Sequence, residues 1–179
     1  MATIGLFYGS TAGTTEEAAR LIHQEFEHAG HQVEVHDIGT TDIEAMVDYD
    51  ILIIGVPTYN IGELQDDWYM VFDELADLVL IGVQVALFGL GDQYGYADTF
   101  QDALGILGRR LRDDCGAGLV GFWPTEGYDF NYSAGVEDGL FMGLALDDDH
   151  QAALTESRVK TWVQQVIRET ELESAIRVG

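Results

Sequence analysis

Six consecutive small or hydroxylated residues, Ser10, Thr11, Ala12, Gly13, Thr14 and Thr15, follow the apolar run Ile4–Tyr8 and the break at Gly9. Glu16, Glu17, Ala18 and Ala19 come next, a composition that starts helices. A strand, a hydroxyl-rich turn and a helix N-terminus make a cradle for a phosphate: turn amides point inward, the helix dipole favours an anion, and the hydroxyls add donors. The same residues also suit an ordinary strand–helix turn, because helix starts favour Ser and Thr. Two further loops carry tyrosines, Tyr59 after Pro57-Thr58 and Tyr96 in Gly91-Asp92-Gln93-Tyr94-Gly95-Tyr96. Two flat side chains flanking a gap sandwich a planar heterocycle. Either tyrosine alone reads first as a surface residue, since amphipathic Tyr commonly sits there. Together with the cradle they describe a planar ring joined to a phosphate, with Asp92 and the local amides available to its polar edge. Asp92 is also a natural turn residue.

Composition removes other chemistries. The 179 residues contain 8 Lys+Arg against 32 Asp+Glu, a formal net charge of −24, and the only lysine is Lys160. No Gly-Lys-Ser/Thr exists, so a Walker-type phosphate loop is excluded. Gly89 and Gly91 give G-x-G, but Tyr94 stands where a dinucleotide fingerprint needs its third glycine. A single cysteine, Cys115, excludes an internal disulfide and all-cysteine metal centres, so no metal is expected. Asp147–Asp149 lacks the glycine and final Glu of a calcium loop. The five histidines are scattered and read as surface residues. The acid excess repels nucleic acid and anionic membrane, and attracts basic protein faces. High-salt adaptation is the other reading of that excess. No apolar run spans a bilayer and no leader pattern opens the chain, so a cytoplasmic protein without membrane insertion is expected.

The elements that must position these loops follow from periodicity. Thr3–Tyr8, Gln32–Ile38, Ile51–Val56, Val83–Leu90 and Leu119–Trp123 read as strands. Phe141–Leu146 returns as a short strand after an irregular stretch, 124–140. Helical stripes run through Ala18, Ile22 and Phe26, through Trp68 to Leu78, through Phe100 to Leu111, and through Val159 to Ile167. Thr155 is expected as the N-cap of the last helix, with Leu154 and Val159 as a hydrophobic staple. Strands alternating with helices give an α/β fold, one doubly wound parallel sheet covered on both faces. The loops after strands one, three and four then share one sheet edge, where such folds bind ligands.

Gly-Leu-Phe-Tyr-Gly-Ser (5–10), Pro-Thr-Tyr-Asn-Ile-Gly-Glu-Leu-Gln (57–65), Gly-Leu-Gly-Asp-Gln-Tyr-Gly-Tyr-Ala-Asp (89–98), Glu-Gly-Tyr-Asp-Phe (126–130) and Gly-Leu-Ala-Leu-Asp-Asp-Asp (143–149) resemble the long-chain flavodoxins of cyanobacteria and nitrogen-fixing bacteria. The resemblance implies one flavodoxin-like domain over 1–179, with a five-stranded parallel sheet in the order 2-1-3-4-5. Residues 121–142 would interrupt the last strand and contribute to partner binding. It implies non-covalent FMN, with the phosphate on Ser10, Thr11, Ala12, Gly13, Thr14 and Thr15 and the ring between Tyr59 and Tyr96. Pro57, Thr58, Asn60, Ile61 and Gly62 would line one side; Leu90, Gly91, Asp92, Thr99 and Gln101 the other; Asp149 would meet the ribityl chain. The Asn60–Ile61 peptide would lie near flavin N5. Ala12 stands where the family usually has Thr, and Tyr59 where it often has Trp, so weaker FMN binding is expected. The implied function is a low-potential electron carrier cycling mainly between semiquinone and hydroquinone, not an enzyme. Implied partners are basic-faced redox proteins, such as ferredoxin–NADP reductase and a downstream acceptor, met as a monomer. An FMN-dependent NAD(P)H quinone reductase of the same fold is the alternative. A phosphorylated receiver domain would need an acceptor Asp after strand three and a late Lys, and has neither.

Overall fold

The computed structural model describes residues 1–172. Its elements in order are β1 (Ile4–Tyr8), α1 (Thr14–His28), β2 (Glu34–Asp37), β3 (Ile51–Tyr59), β4 (Glu63–Leu64), α2 (Asp66–Leu75), β5 (Gln84–Leu90), α3 (Asp102–Arg109), β6 (Gly118–Val120), β7 (Trp123–Pro124), β8 (Val136–Glu137), β9 (Leu140–Phe141), β10 (Gly143–Leu146) and α4 (Thr155–Glu169). The main sheet runs β2-β1-β3-β5-β10, all parallel, with β6 also on β5 and β4 antiparallel on the end of β3. The five expected positions are therefore present in the expected order. The last is shared by two segments: Gly118 opposes Gln84 and Gly143 opposes Leu87. The interruption falls at 121–142, as the resemblance implies, and it is not wholly irregular. It folds into a small antiparallel sheet, β7-β9-β8.

The apolar runs are continuous because consecutive residues feed two different cores. Ile4, Leu6, Ile51, Ile53, Ala86 and Phe88 face Ala18, Ile22 and Phe26 of α1 and Val159, Trp162 and Val166 of α4. Phe7, Leu52, Ile54, Val56, Val85 and Leu87 face Trp68 and Leu75 of α2 and Ala103, Leu104 and Leu107 of α3. A one-residue slip of any strand would exchange the two sets, so the register is strongly specified.

Several boundaries differ from expectation, each for a tertiary reason. The third strand does not stop at Val56. Pro57 continues opposite Leu90, and Thr58 and Tyr59 pair with β4 in a hairpin. The fifth strand stops at Val120, because Trp123 turns away to pair with Phe141 in the small sheet. Thr155 is not the N-cap of α4. It is the first helical residue, with Leu154 before it, and its hydroxyl donates to Asp148 at 2.6 Å. Leu154 is 43% exposed, while Val159 is buried in the core. His31 is buried rather than on the surface, and burial pushes its imidazole below the usual range.

Candidate functional site

β1, β3 and β5 lie side by side and end at the same edge, so the three loops seen in the sequence open onto one cleft. Thr14, Pro57, Thr58, Tyr59, Leu90, Gly91, Asp92, Tyr96, Asp148 and Asp149 line it, around a space of ≈ 170 Å³. Of the residues singled out from sequence, Ala12, Asn60, Ile61 and Gly62 sit on the flanking loops, Ile61 being 78% exposed. Asp148 is a lining residue that sequence reasoning missed; its only signal was its place between two other acids.

The first loop is built to receive something. Gly13 has φ 90, the left-handed conformation a glycine adopts without penalty, and hands the chain into α1. Ser10 Oγ accepts the Gly13 amide at 3.0 Å, and the Gly9 amide donates to the Gly55 carbonyl at 3.1 Å. The Glu17 amide donates to the Gly13 carbonyl at 3.0 Å, the first bond of the helix. Among the described residues, the amides of Ser10, Ala12, Thr14, Thr15 and Glu16 find no protein acceptor. Helix-start amides are orphans by geometry. Thr15 Oγ1 is different: it is buried and also has no partner. A buried unpaired hydroxyl costs about 1–3 kcal/mol unless a ligand or water reaches it. The one base on this part of α1, Arg20, is occupied by Glu17. The loop thus offers an anion neutral donors only. Behind it stands Gln65, almost wholly buried, whose Nε2 donates to Thr11 Oγ1 at 3.2 Å. A side chain at Gly9 would run within 2.2 Å of Gln65 Oε1 and 2.7 Å of the Trp68 ring, so the loop can sit this deep only with glycine there.

The second wall is the hairpin β3–β4. Asn60 has φ 47 and Gly62 φ 79, the two left-handed residues that reverse the chain. Asn60 Nδ2 donates to Glu63 Oε2 at 2.8 Å. A Cβ on Gly62 would come within 2.6 Å of Asp102 Oδ2. Thr58 Oγ1 accepts the Ala103 amide at 3.1 Å, which joins the hairpin to the start of α3. Tyr59 leans toward the first loop, its hydroxyl accepting the Thr11 amide at 3.2 Å. Tyr59 and Tyr96 both line this cleft.

The third wall is stiff. Asp92 Oδ1 accepts the amides of Tyr94 at 3.0 Å and Gly95 at 2.6 Å, and meets His150 Nε2 at 2.8 Å. Burial opposes ionisation of Asp92, but these bonds outweigh it and hold the carboxyl below the usual range. Asp92 thus closes its own turn through Oδ1, the oxygen that His150 also meets. Gln101 does not line the cleft. It is fully buried with φ 61, and its Nε2 donates to the carbonyls of Gly89 at 3.2 Å and Leu146 at 3.0 Å, tying β5 to β10. Thr99 lies beside Gly62 rather than on the cleft lining. Asp147, missed from sequence, is fully buried. It accepts the Gln93 amide and side chain at 3.1 and 2.8 Å and the amides of Asp149 and His150 at 3.1 and 3.0 Å. A run of three acids gave no sign of which one would be buried.

The interrupting segment buttresses this wall. The Asp129 amide donates to Gln93 Oε1 at 2.7 Å, the Asn131 amide to the Ala97 carbonyl at 2.8 Å, and the Ala134 amide to Asp102 Oδ1 at 2.6 Å. Burial pushes the Asp102 carboxyl up, with the Ala134 bond and Arg109 pulling the other way. Among the described residues no helix is long and apolar enough to cross a membrane.

The profile of the Flavodoxin family matches residues 6–162. The flavodoxin of Synechocystis is 51% identical over 166 residues, 93% of this chain and 96% of that one. The flavodoxin of Klebsiella pneumoniae is 46% identical, covering 97% of each chain. The crystal structure of the K13G mutant of Fusobacterium nucleatum flavodoxin, bound to flavin mononucleotide, superposes with a TM-score of 0.89 at 30% identity. That likeness covers 94% of this chain and 97% of that one.

Proposed function

This chain belongs to the flavodoxin family, and from that premise we propose that it is a low-potential one-electron carrier, not an enzyme, acting through FMN held without a covalent bond. The observation that carries the reading is the meeting of three strand-end loops at one cleft, lined by Thr14 of the donor-rich loop and by Tyr59 and Tyr96. FMN supplies the redox chemistry; the chain supplies binding, orientation and field.

The donor set suits a phosphate dianion. Thr15 Oγ1 and the unpartnered amides of Ser10, Ala12, Thr14 and Thr15 are the groups such a ligand would satisfy, joined by the hydroxyls of Ser10, Thr11 and Thr14. Gly13 contributes its conformation. Tyr59 and Tyr96 would hold the ring between them, with Pro57, Thr58, Asn60, Ile61 and Gly62 on one side. Leu90, Gly91 and Asp92 would form the other side, through backbone more than side chain, and Asp149 would meet the ribityl chain. Gln101 and Thr99 would act by positioning. Ala12, lacking a hydroxyl, and Tyr59, smaller than Trp, favour a weaker hold than a Thr and a Trp would give. With a net charge of −24 and Arg20 already paired, the chain's field opposes added negative charge on the ring, which favours a strongly reducing carrier.

The same field supports basic-faced partners, a flavin reductase such as ferredoxin–NADP reductase and a downstream acceptor, met by a cytoplasmic monomer folded as one domain over 1–179. Segment 121–142 borders the cleft's stiff wall and would take part in those encounters. Unfolding measured across molar salt separates such steering from high-salt adaptation. Titration of the apoprotein with FMN tests the reading itself. One equivalent should quench flavin fluorescence, and stepwise reduction should pass through a one-electron stage. Failure to bind FMN, or turnover of NAD(P)H with quinone in the absence of a reductase, would overturn it.

A further inference from the structure

His150 touches the cleft's stiff wall from outside. Its Nε2 lies 2.8 Å from Asp92 Oδ1, the oxygen that also accepts the Tyr94 and Gly95 amides. The Tyr94 ring stands edge-on against the imidazole, with centroids 4.6 Å apart and planes at 78°. The histidine thus grips the turn both at its carboxylate and at its aromatic residue. That turn leads directly into Tyr96, whose amide donates to the Asp92 carbonyl at 3.0 Å.

The groups around the imidazole are acidic. Asp147 faces it together with Asp92, the nearest ligand atoms of all three lying within 4.8 Å of one another. Both Asp147 oxygens are engaged by Gln93 and by the amides of Asp149 and His150. Asp148 and Asp149 precede it on its own segment, and Asp148 holds Thr155 of α4. The nearby base on α4, Arg158, is taken up by Gln151 and the face of Tyr128. Among the described residues, His150 is the only base that meets Asp92. A protonated imidazole gives it a charge-assisted hydrogen bond; a neutral one gives at best an ordinary bond from a single tautomer.

We propose that His150 is a positioning residue for the cleft: as an imidazolium it pins the turn from Asp92 to Tyr96, and on losing its proton it slackens that wall. The proposal rests on reading the cleft as an FMN site. The protonated state favours the bound arrangement. The extra affinity is therefore present where the imidazole carries its proton and absent where it does not.

The test measures FMN and riboflavin affinity of the apoprotein between about pH 5 and 8, where imidazoles in general change charge, for the wild type, His150→Gln and Asp92→Asn. Riboflavin lacks the phosphate, whose own ionisation falls in the same window. The wild type should bind either ligand about three- to fivefold more tightly than His150→Gln at the acid end, with the ratio closing to one at the alkaline end. Asp92→Asn should remove the same pH-dependent component. His28→Gln, which removes an exposed histidine paired with Glu25 on α1, should follow the wild type. Parallel profiles for the wild type and His150→Gln would overturn the proposal and leave the FMN reading intact. No binding of FMN by any of these proteins would overturn both.

Discussion

From Ser10 to Thr15 the chain makes few hydrogen bonds with itself, while across the cleft Asp92, Gln93, Gln101 and Asp147 engage most of theirs. The first loop keeps a row of amides and one buried hydroxyl without protein partners. The second is cross-linked to β10, to the segment 121–142 and to itself. Both follow parallel strands, and both end near one cleft, so position in the fold does not explain the contrast. Division of labour does. An anion is held best by donors that have no competing acceptor, whereas a planar ring is oriented best by a wall that does not move. The electrostatic difference runs the same way: neutral donors on one side, and on the other a carboxylate held ionised by two amides and an imidazole.

Variants that empty the buttress should have the largest effect on the protein itself. Asp147→Ala strands the Gln93 and His150 donors in a buried place. It should cost about 3 kcal/mol of folding stability, read by urea denaturation of the apoprotein. A loss under about 1 kcal/mol would mean that the stiff wall does not depend on its buried carboxylate. Thr15→Val should behave in the opposite sense. Valine keeps the shape and removes an unpaired hydroxyl, so apoprotein stability should be unchanged or higher by about 1 kcal/mol. FMN binding should weaken about tenfold, since a bond to a charged phosphate is lost. Equal effects on stability and binding would erase the distinction between the two loops. The smallest change belongs to Tyr59→Phe, which removes the acceptor of the Thr11 amide. Its expected cost in the apoprotein is about 0.5 kcal/mol by thermal unfolding, because the bond is solvent-exposed. A larger cost would show that the first loop is held by its own contacts after all.

Much of this was legible in the chain. The doubly wound parallel sheet and the sharing of one edge by three loops follow from alternating apolar runs and the handedness of parallel connections; the order of its strands came from the resemblance. The two-sided burial of Ile51–Val56 follows from its unbroken apolar sequence. Other assignments depended on partners far away in sequence. Asp92 could read a ring edge or close a turn, and His150, 58 residues distant, belongs to the turn. Gln101 was expected along the cleft, and its side-chain amide ties two strands to each other. Thr155 had the right chemistry for a cap, and Asp148 took its hydroxyl.

Two classes of property separate here. Local pattern and composition determined the strands, most of the helices, the donor-rich loop, the pair of tyrosines and the negative field, because each is carried by neighbours along the chain. The tertiary structure decided which of Asp147, Asp148 and Asp149 is buried, which carboxylate holds a turn and where the hairpin begins. It also decided that Thr15 keeps its hydroxyl free. Those outcomes are settled by which polar groups meet when distant segments close on one another, and a buried polar group takes whichever partner the packing brings within about 3 Å.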